Sequence, residues 1–178
     1  MRVLRRWLGR ERTRGQSLVE FALTLPLLIV LILGLVDVGR LVYQSSTLSQ
    51  AAREGARVAT VQAYWVGRND TGCNQPGGPT CPASLNELRT NVLAATNRNL
   101  VPFGALADED LHLACHPDGS APSGEWTSPT QNCTDAADRV PGADVSVRVT
   151  MEFTPITPII AQLIGSLNLD GSATMSIN

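Results

Sequence analysis

Residues 18–36 read LVEFALTLPLLIVLILGLV, and between Phe21 and Val36 this run contains no charged side chain. Because an α-helix rises about 1.5 Å per residue, the run makes about 28 Å of helix, close to the hydrocarbon thickness of a bilayer, which is about 30 Å. The run therefore predicts a transmembrane helix over residues 16–36, followed by a separate body.

Charge is distributed unevenly on the two sides of this run. All basic residues are arginines; six of them and one glutamate lie in residues 1–15, whereas eight arginines and fifteen acidic residues follow. By the positive-inside rule, the basic arm stays in the cytoplasm and the acidic body is extracytoplasmic. The acidic body argues against binding to nucleic acid, which requires clustered Lys or Arg side chains opposite the phosphates.

Three interpretations of the apolar run are open: a cleaved secretory signal, an uncleaved anchor, and a prepilin-type helix whose leader is removed before the run. The secretory signal is disfavoured because residues 34–39 contain no Ala-x-Ala cleavage site. The uncleaved anchor leaves Glu20 unexplained, since a carboxylate at the centre of a bilayer costs about 2.5 to 3.5 kcal/mol. Near the headgroups that cost is smaller, so the anchor remains the main alternative.

The prepilin interpretation accounts for Glu20 together with the residues before it. The segment RGQSLVEF at 14–21 places a glycine after a basic residue and a carboxylate five positions later, which resembles the prepilin peptidase site of type IV pilin-like proteins. The resemblance implies cleavage after Gly15 and an N-methylated N-terminus at Gln16. It also implies that Glu20 registers subunits by pairing with the N-terminal ammonium of a neighbour. The leader is then residues 1–15.

A narrower resemblance extends over residues 14–60. Four segments occur there in order: GQSLVEFAL at 15–23, PLL at 26–28, GLVDVGR at 34–40 and AAREGAR at 51–57. Together they resemble the TadE family of pseudopilins, which belongs to the Tad (tight adherence) secretion systems that assemble Flp pili.

This resemblance implies a minor pilin-like subunit that is required for pilus assembly and cell adhesion and is not an enzyme. The implied partners are a prepilin peptidase, other Tad pseudopilins, the Flp major pilin, the inner-membrane Tad platform proteins and membrane lipid. The implied location is the cytoplasmic membrane, as a single-pass protein with an extracytoplasmic domain, or the pilus itself. The alternative is an uncleaved single-pass protein with an extracytoplasmic binding domain.

We expect the helix to continue outside the membrane over residues 37–65, because no proline interrupts this segment. Small residues, among them Ala52, Gly55 and Ala59, recur at spacings of three and four and lie on one face of that helix. A face of small residues lets another backbone approach closely. It is expected to pack against the extracytoplasmic domain or against other subunits.

Residues 66–178 predict a small α+β domain with one further helix and an antiparallel sheet of about three strands. Ser84 and Glu87 form a capping-box pattern at the start of the helix. The helix is expected to end near residues 97–100, before Pro102.

The alternation of apolar and polar side chains predicts the strands. It occurs in three segments, residues 111–115, 143–153 and 167–177. In the second segment Asp144 and Ser146 are expected on the exposed face, which argues against a metal-dependent adhesion site built on them.

Four cysteines, Cys73, Cys81, Cys115 and Cys133, all lie on the side of the membrane that is predicted to be oxidising. An even number in that compartment predicts two disulfides. Three connectivities are open, and we favour Cys73 with Cys81 and Cys115 with Cys133, because each of these pairs encloses a loop rich in Pro and Gly.

Hypotheses of catalysis or metal binding find little support in the sequence. The chain has two histidines, and it contains neither a nucleophile-elbow motif nor a phosphate-binding loop. The spacing of His112, Cys115 and His116 is not typical of zinc ligands. We therefore expect no catalytic residues, no metal and no cofactor.

Overall fold

The computed structural model describes residues 12–68, 81–100, 103–117, 130–131 and 133–177. Three α-helices and four strands occur in these ranges, with short 3₁₀ helices at Asp108–Asp110 and Ala136–Arg139. In chain order the α-helices and strands are α1 (Arg12–Ala63), α2 (Leu85–Leu100), β1 (Leu111–His116), β2 (Thr130–Gln131), β3 (Asp144–Phe153), α3 (Pro158–Ile164) and β4 (Leu167–Ser176).

The chain forms two compact units. The helical unit consists of the chain up to Leu41 together with Thr154–Ser166, and the sheet unit consists of Val42–Phe153 together with Leu167–Asn178. Helix α1 contributes its first part to the helical unit and its last part to the sheet unit.

Helix α1 is a single helix of 52 residues, as the long apolar run and the absence of helix breakers after it predicted. Its one internal proline, Pro26, has no N–H to donate to the carbonyl of Ala22, so one backbone hydrogen bond is missing there. The apolar residues around Pro26 nevertheless remain helical on both sides.

Helix α2 begins directly after Ser84, the residue that the capping pattern indicated. The Glu87 N–H donates to Oγ of Ser84 at 3.3 Å, and the Glu87 carboxylate accepts the Ala83 N–H at 2.7 Å. In a standard capping box the Glu87 carboxylate would accept the N–H of Ser84. Here it accepts the N–H of Ala83, one residue earlier. The helix ends at Leu100, within the predicted range.

The sheet has the strand order β2-β1-β3-β4. The pairs β1–β3 and β3–β4 are antiparallel, with Leu113 opposite Val147 and Val147 opposite Ala173. This confirms the predicted α+β fold with three antiparallel strands. The two-residue strand β2, which pairs in parallel with β1, was not predicted.

The core of the sheet unit lies between the sheet, α2 and the last part of α1. Helix α1 contributes mainly small side chains, whereas α2 and the strands contribute Leu and Val. The fully buried residues of this core include Leu48, Ala52, Ala56, Ala59, Leu88, Val92, Leu111, Leu113, Val145, Val147 and Val149.

The prediction that Ser146 lies on an exposed face is wrong. Ser146 is 1% exposed, and its hydroxyl is hydrogen-bonded to that of Thr174 on β4 at 2.7 Å. Ala114, which is opposite Ser146 on β1, is also fully buried. Alternation in the sequence indicates which residues lie on the same face of a strand. It does not indicate whether the polar face of a central strand is buried, because that depends on what packs against the sheet.

Candidate processing site and packing surfaces

The predicted processing residues lie near the start of α1. Gly15 and Gln16 are helical and exposed. A methyl group built on Gly15 meets no other atom within 4 Å. Packing in the described structure therefore gives no reason for a glycine here, although Gly in a helix costs about 1 kcal/mol relative to Ala.

Glu20 is exposed on the same helix, one turn after Gln16. The side-chain amide of Gln16 donates a hydrogen bond to Oε1 of Glu20 at 3.1 Å. Apart from Glu20, no charged residue occurs between Gly15 and Val36. Its carboxylate is thus the one point in this apolar segment at which a cation can bind by charge pairing.

The apolar run around Glu20 presents its side chains outward. Thirteen large apolar side chains between Leu18 and Val36 are 37% to 74% exposed. An exposed apolar surface of this size is typical of a segment that contacts a membrane or another protein. The helix is long and apolar enough to span a membrane, as the sequence predicted.

Asp37 directly follows the apolar run and is only 4% exposed. Its two carboxylate oxygens accept the backbone N–H groups of Ile156 and Thr157, each at 3.0 Å. Nη1 of Arg40 lies 3.7 Å from Oδ1 of Asp37. Hydrogen bonding from Thr157 and from the Ile156 N–H lowers the pKa of Asp37, because these donors favour the charged carboxylate.

Through these bonds Asp37 holds the two residues directly before α3, in which Pro158 occupies the first turn. Thr157 precedes the helix but forms no capping bond with its own side chain. Sequence reasoning missed this role, because it treated Asp37 only as the end of the apolar run. The signal available was the Thr-Pro dipeptide at 157–158, because proline is favoured in the first turn of a helix.

The small-residue face of α1 packs within the sheet unit. Ala52 and Ala59 are fully buried. A methyl group on Gly55 would lie 2.6 Å from Cγ2 of Thr96 and 3.3 Å from Cγ1 of Val147. The sequence allowed this face to pack against the chain's own domain or against other subunits. In the structure, α2 and β3 of the same chain cover it.

A second glycine of this kind, Gly171 on β4, was not singled out from the sequence. A methyl group there would lie 2.7 Å from the backbone carbon and oxygen of Leu48 and 2.8 Å from the nitrogen of Ser49. The backbones of β4 and α1 therefore touch at Gly171. The available signal was a glycine in the interior of a predicted strand, which often marks a close approach of another backbone.

A disulfide joins Cys115 on β1 to Cys133, with the Cα atoms 5.0 Å apart, as the favoured pairing predicted. Cys81 is also disulfide-bonded, whereas Cys73 lies outside the described residues. The buried guanidinium of Arg139 donates to the carbonyl oxygens of Cys133 and Thr134. The disulfide and this arginine together fix the segment that leads into β3.

His112 and His116 lie on β1 next to Cys115, whose sulfur is engaged in the disulfide and is not available as a metal ligand. Among the residues that the structure describes, no three His, Cys, Asp or Glu side chains are grouped to hold a metal ion.

Comparison with known proteins gives one family match. The model of the family described as TadE-like protein matches residues 15–57. No curated protein and no solved structure matches the chain. The matched range includes Gly15, Glu20, Asp37 and Gly55, and it agrees with the resemblance carried by the four sequence segments. Over residues 15–57 this chain is therefore similar to the TadE-like family.

Proposed function

We propose that this chain is a pseudopilin-like subunit of a Tad pilus assembly system. It is made as a precursor, cut after Gly15 by a prepilin peptidase, and held in the cytoplasmic membrane by α1 with its domain on the extracytoplasmic side. It then associates with other Tad pseudopilins, the Flp major pilin and the inner-membrane platform proteins. The observation that carries the proposal is the TadE-like match, which begins at Gly15.

The local structure at Gly15 supports the processing step. The site is exposed near the start of the long helix, and no atom of the described residues restricts the glycine. A protease must bind its substrate in an extended form, so the helix has to unwind at this point. Glycine lowers the cost of unwinding, because it is a poor helix former and adopts extended conformations readily.

Glu20 supports the assembly step. It is an exposed carboxylate in a helix surface that carries no other charge between Gly15 and Val36. Cleavage after Gly15 would create an ammonium at Gln16, and a neighbouring subunit could place that group against Glu20. Such a pair compensates a charge that is expensive to leave alone in lipid.

The proposal is tested by expressing the full chain with and without a Tad prepilin peptidase. Membranes are extracted, and the N-terminal residue and the intact mass are measured without reduction. We expect a product that begins at Gln16 only when the peptidase is present, with a mass that reflects two disulfides. A precursor that is unchanged by the peptidase would contradict the proposal and favour an uncleaved single-pass binding protein.

Replacing Glu20 with Gln is expected to separate processing from assembly. Cleavage after Gly15 should remain, because the scissile bond and the apolar helix are intact. Incorporation into a complex with other pilus subunits should fall, because the carboxylate that pairs with the ammonium is lost. The measurement is co-purification of partner subunits with the mature chain from membranes.

The matched control is Gln50→Glu, an equally small change at an exposed position of α1 beyond the apolar run. It should leave both processing and co-purification unchanged. If Glu20→Gln co-purifies with its partners as well as the natural chain does, Glu20 has no pairing role.

A further inference from the structure

Helix α3 and the residues just before it present apolar side chains that no described residue of the helical unit covers. Ile156 and Ile159 are each 60% exposed, and Leu163 is 83% exposed. No charged residue occurs between Glu152 and Asp170. A short helix with these properties is poorly suited to contact with water.

The position of α3 along α1 is fixed by two kinds of contact. Gly34 lies inside the apolar run, and a methyl group built on it would be 3.4 Å from Cδ1 of Ile160. One turn further along α1, Asp37 holds the N–H groups of Ile156 and Thr157. Gly34 is two residues before the end of the run, which corresponds to about 3 Å along the helix axis.

We infer that α3 is an interfacial helix that lies in the lipid bilayer beside α1, in the leaflet where Asp37 leaves the membrane. This inference rests on the insertion of α1 in a membrane, which is part of the proposed function. A helix packed against Gly34 is at the depth where acyl chains meet headgroups. Ile159, Leu163 and the neighbouring Ile164 then contact acyl chains, continuing the exposed apolar surface of α1.

The contacts of Asp37 fit this environment. Backbone N–H groups at the start of a helix have no partner within the helix, and at the edge of a bilayer little water is available to bind them. Asp37 accepts the N–H groups of Ile156 and Thr157, which come directly before the first residue of α3. A buried carboxylate next to the apolar run thus supplies acceptors for two backbone donors just before a second helix, at membrane depth.

The experiment uses the full chain in vesicles of phosphatidylethanolamine and phosphatidylglycerol. A cysteine is introduced by Leu163→Cys and labelled with a nitroxide without reductant, since the described cysteines are already disulfide-bonded. Collisions of the label with oxygen, which concentrates in lipid, and with a water-soluble nickel chelate give its depth. Ile159→Cys provides a second position on the same helix.

Two matched labels calibrate the measurement. Leu31→Cys reports the middle of the apolar run, and Asn99→Cys reports an exposed position on α2. We expect the label at position 163 to lie about 5 to 10 Å below the headgroups, as in other interfacial helices, and to be protected from the nickel chelate relative to the label at position 99.

Nickel accessibility at position 163 equal to that at position 99 would overturn the inference. Spin–spin broadening at position 163 that disappears on dilution with unlabelled chain would also overturn it, because a second copy would then cover α3. A label at position 31 outside lipid would refute membrane insertion itself. Peptidase cleavage after Gly15 is scored separately, so failure of the α3 inference leaves the processing result intact.

Discussion

The variant Gly15→Ala is expected to accumulate as an uncut precursor in the presence of a prepilin peptidase. The fold should be preserved, because a methyl group at this position meets no atom within 4 Å. Alanine in fact favours the helix by about 1 kcal/mol over glycine. The added methyl group therefore acts only on the protease step, by stabilising the helical form of the site and by obstructing the binding of an extended backbone.

The measurement is the ratio of precursor to mature chain in membranes, followed by electrophoresis and N-terminal sequencing. Gly39→Ala is the matched control, since Gly39 is also in α1 and its methyl position is also empty. The natural chain and the control should both be cut to begin at Gln16. Normal cleavage of Gly15→Ala would remove the main support for the processing site.

The variant Gly171→Ala is expected to destabilise the sheet unit strongly. Its methyl group would lie 2.7 Å from backbone atoms of Leu48, which cannot rotate away as a side-chain end could. Helix α1 and strand β4 must then separate locally, and insertion of a methyl group into a filled core typically costs about 1 to 3 kcal/mol. Alanine also makes the unfolded chain less flexible, which stabilises the folded state by about 0.4 to 1 kcal/mol, less than the cost of the clash.

Thermal unfolding of the full chain in detergent, followed by circular dichroism, checks this expectation. A loss of this size should lower the Tm by roughly 4 to 12 °C. Ser172→Ala, at an exposed position next in the same strand, should change the Tm by a degree or two at most. Equal stability of Gly171→Ala and the natural chain would show that the two backbones do not touch at this position.

The two glycines illustrate different reasons for the same residue type. Gly171 is required by the tertiary structure, because two backbones meet there. Gly15 has no structural requirement in the described residues, which is why a role in processing is a better explanation for it. Geometry alone can distinguish these cases, since the sequence shows only a glycine in a helix and a glycine in a strand.

Local patterns in the sequence determined the elements. The uncharged run over residues 21–36 specified a helix that can span a bilayer, because length and hydropathy are properties of the segment itself. Alternation over residues 143–153 and 167–177 specified β3 and β4, and Ser84 marked the start of α2. The pairing of Cys115 with Cys133 was favoured among three open connectivities because it closes a local loop, and the structure contains it.

Contacts between residues that are far apart in the sequence could be found only from the packing of the elements. Asp37 binds N–H groups 119 and 120 residues away. Gly171 touches the backbone of Leu48, and Ser146 is buried against Thr174. These contacts leave no periodic signal, because each depends on how complete elements pack against one another. Length, hydropathy and alternation therefore specified the helix that can cross a membrane and the strands, whereas packing brought a carboxylate at the end of the apolar run to the two residues before a second apolar helix.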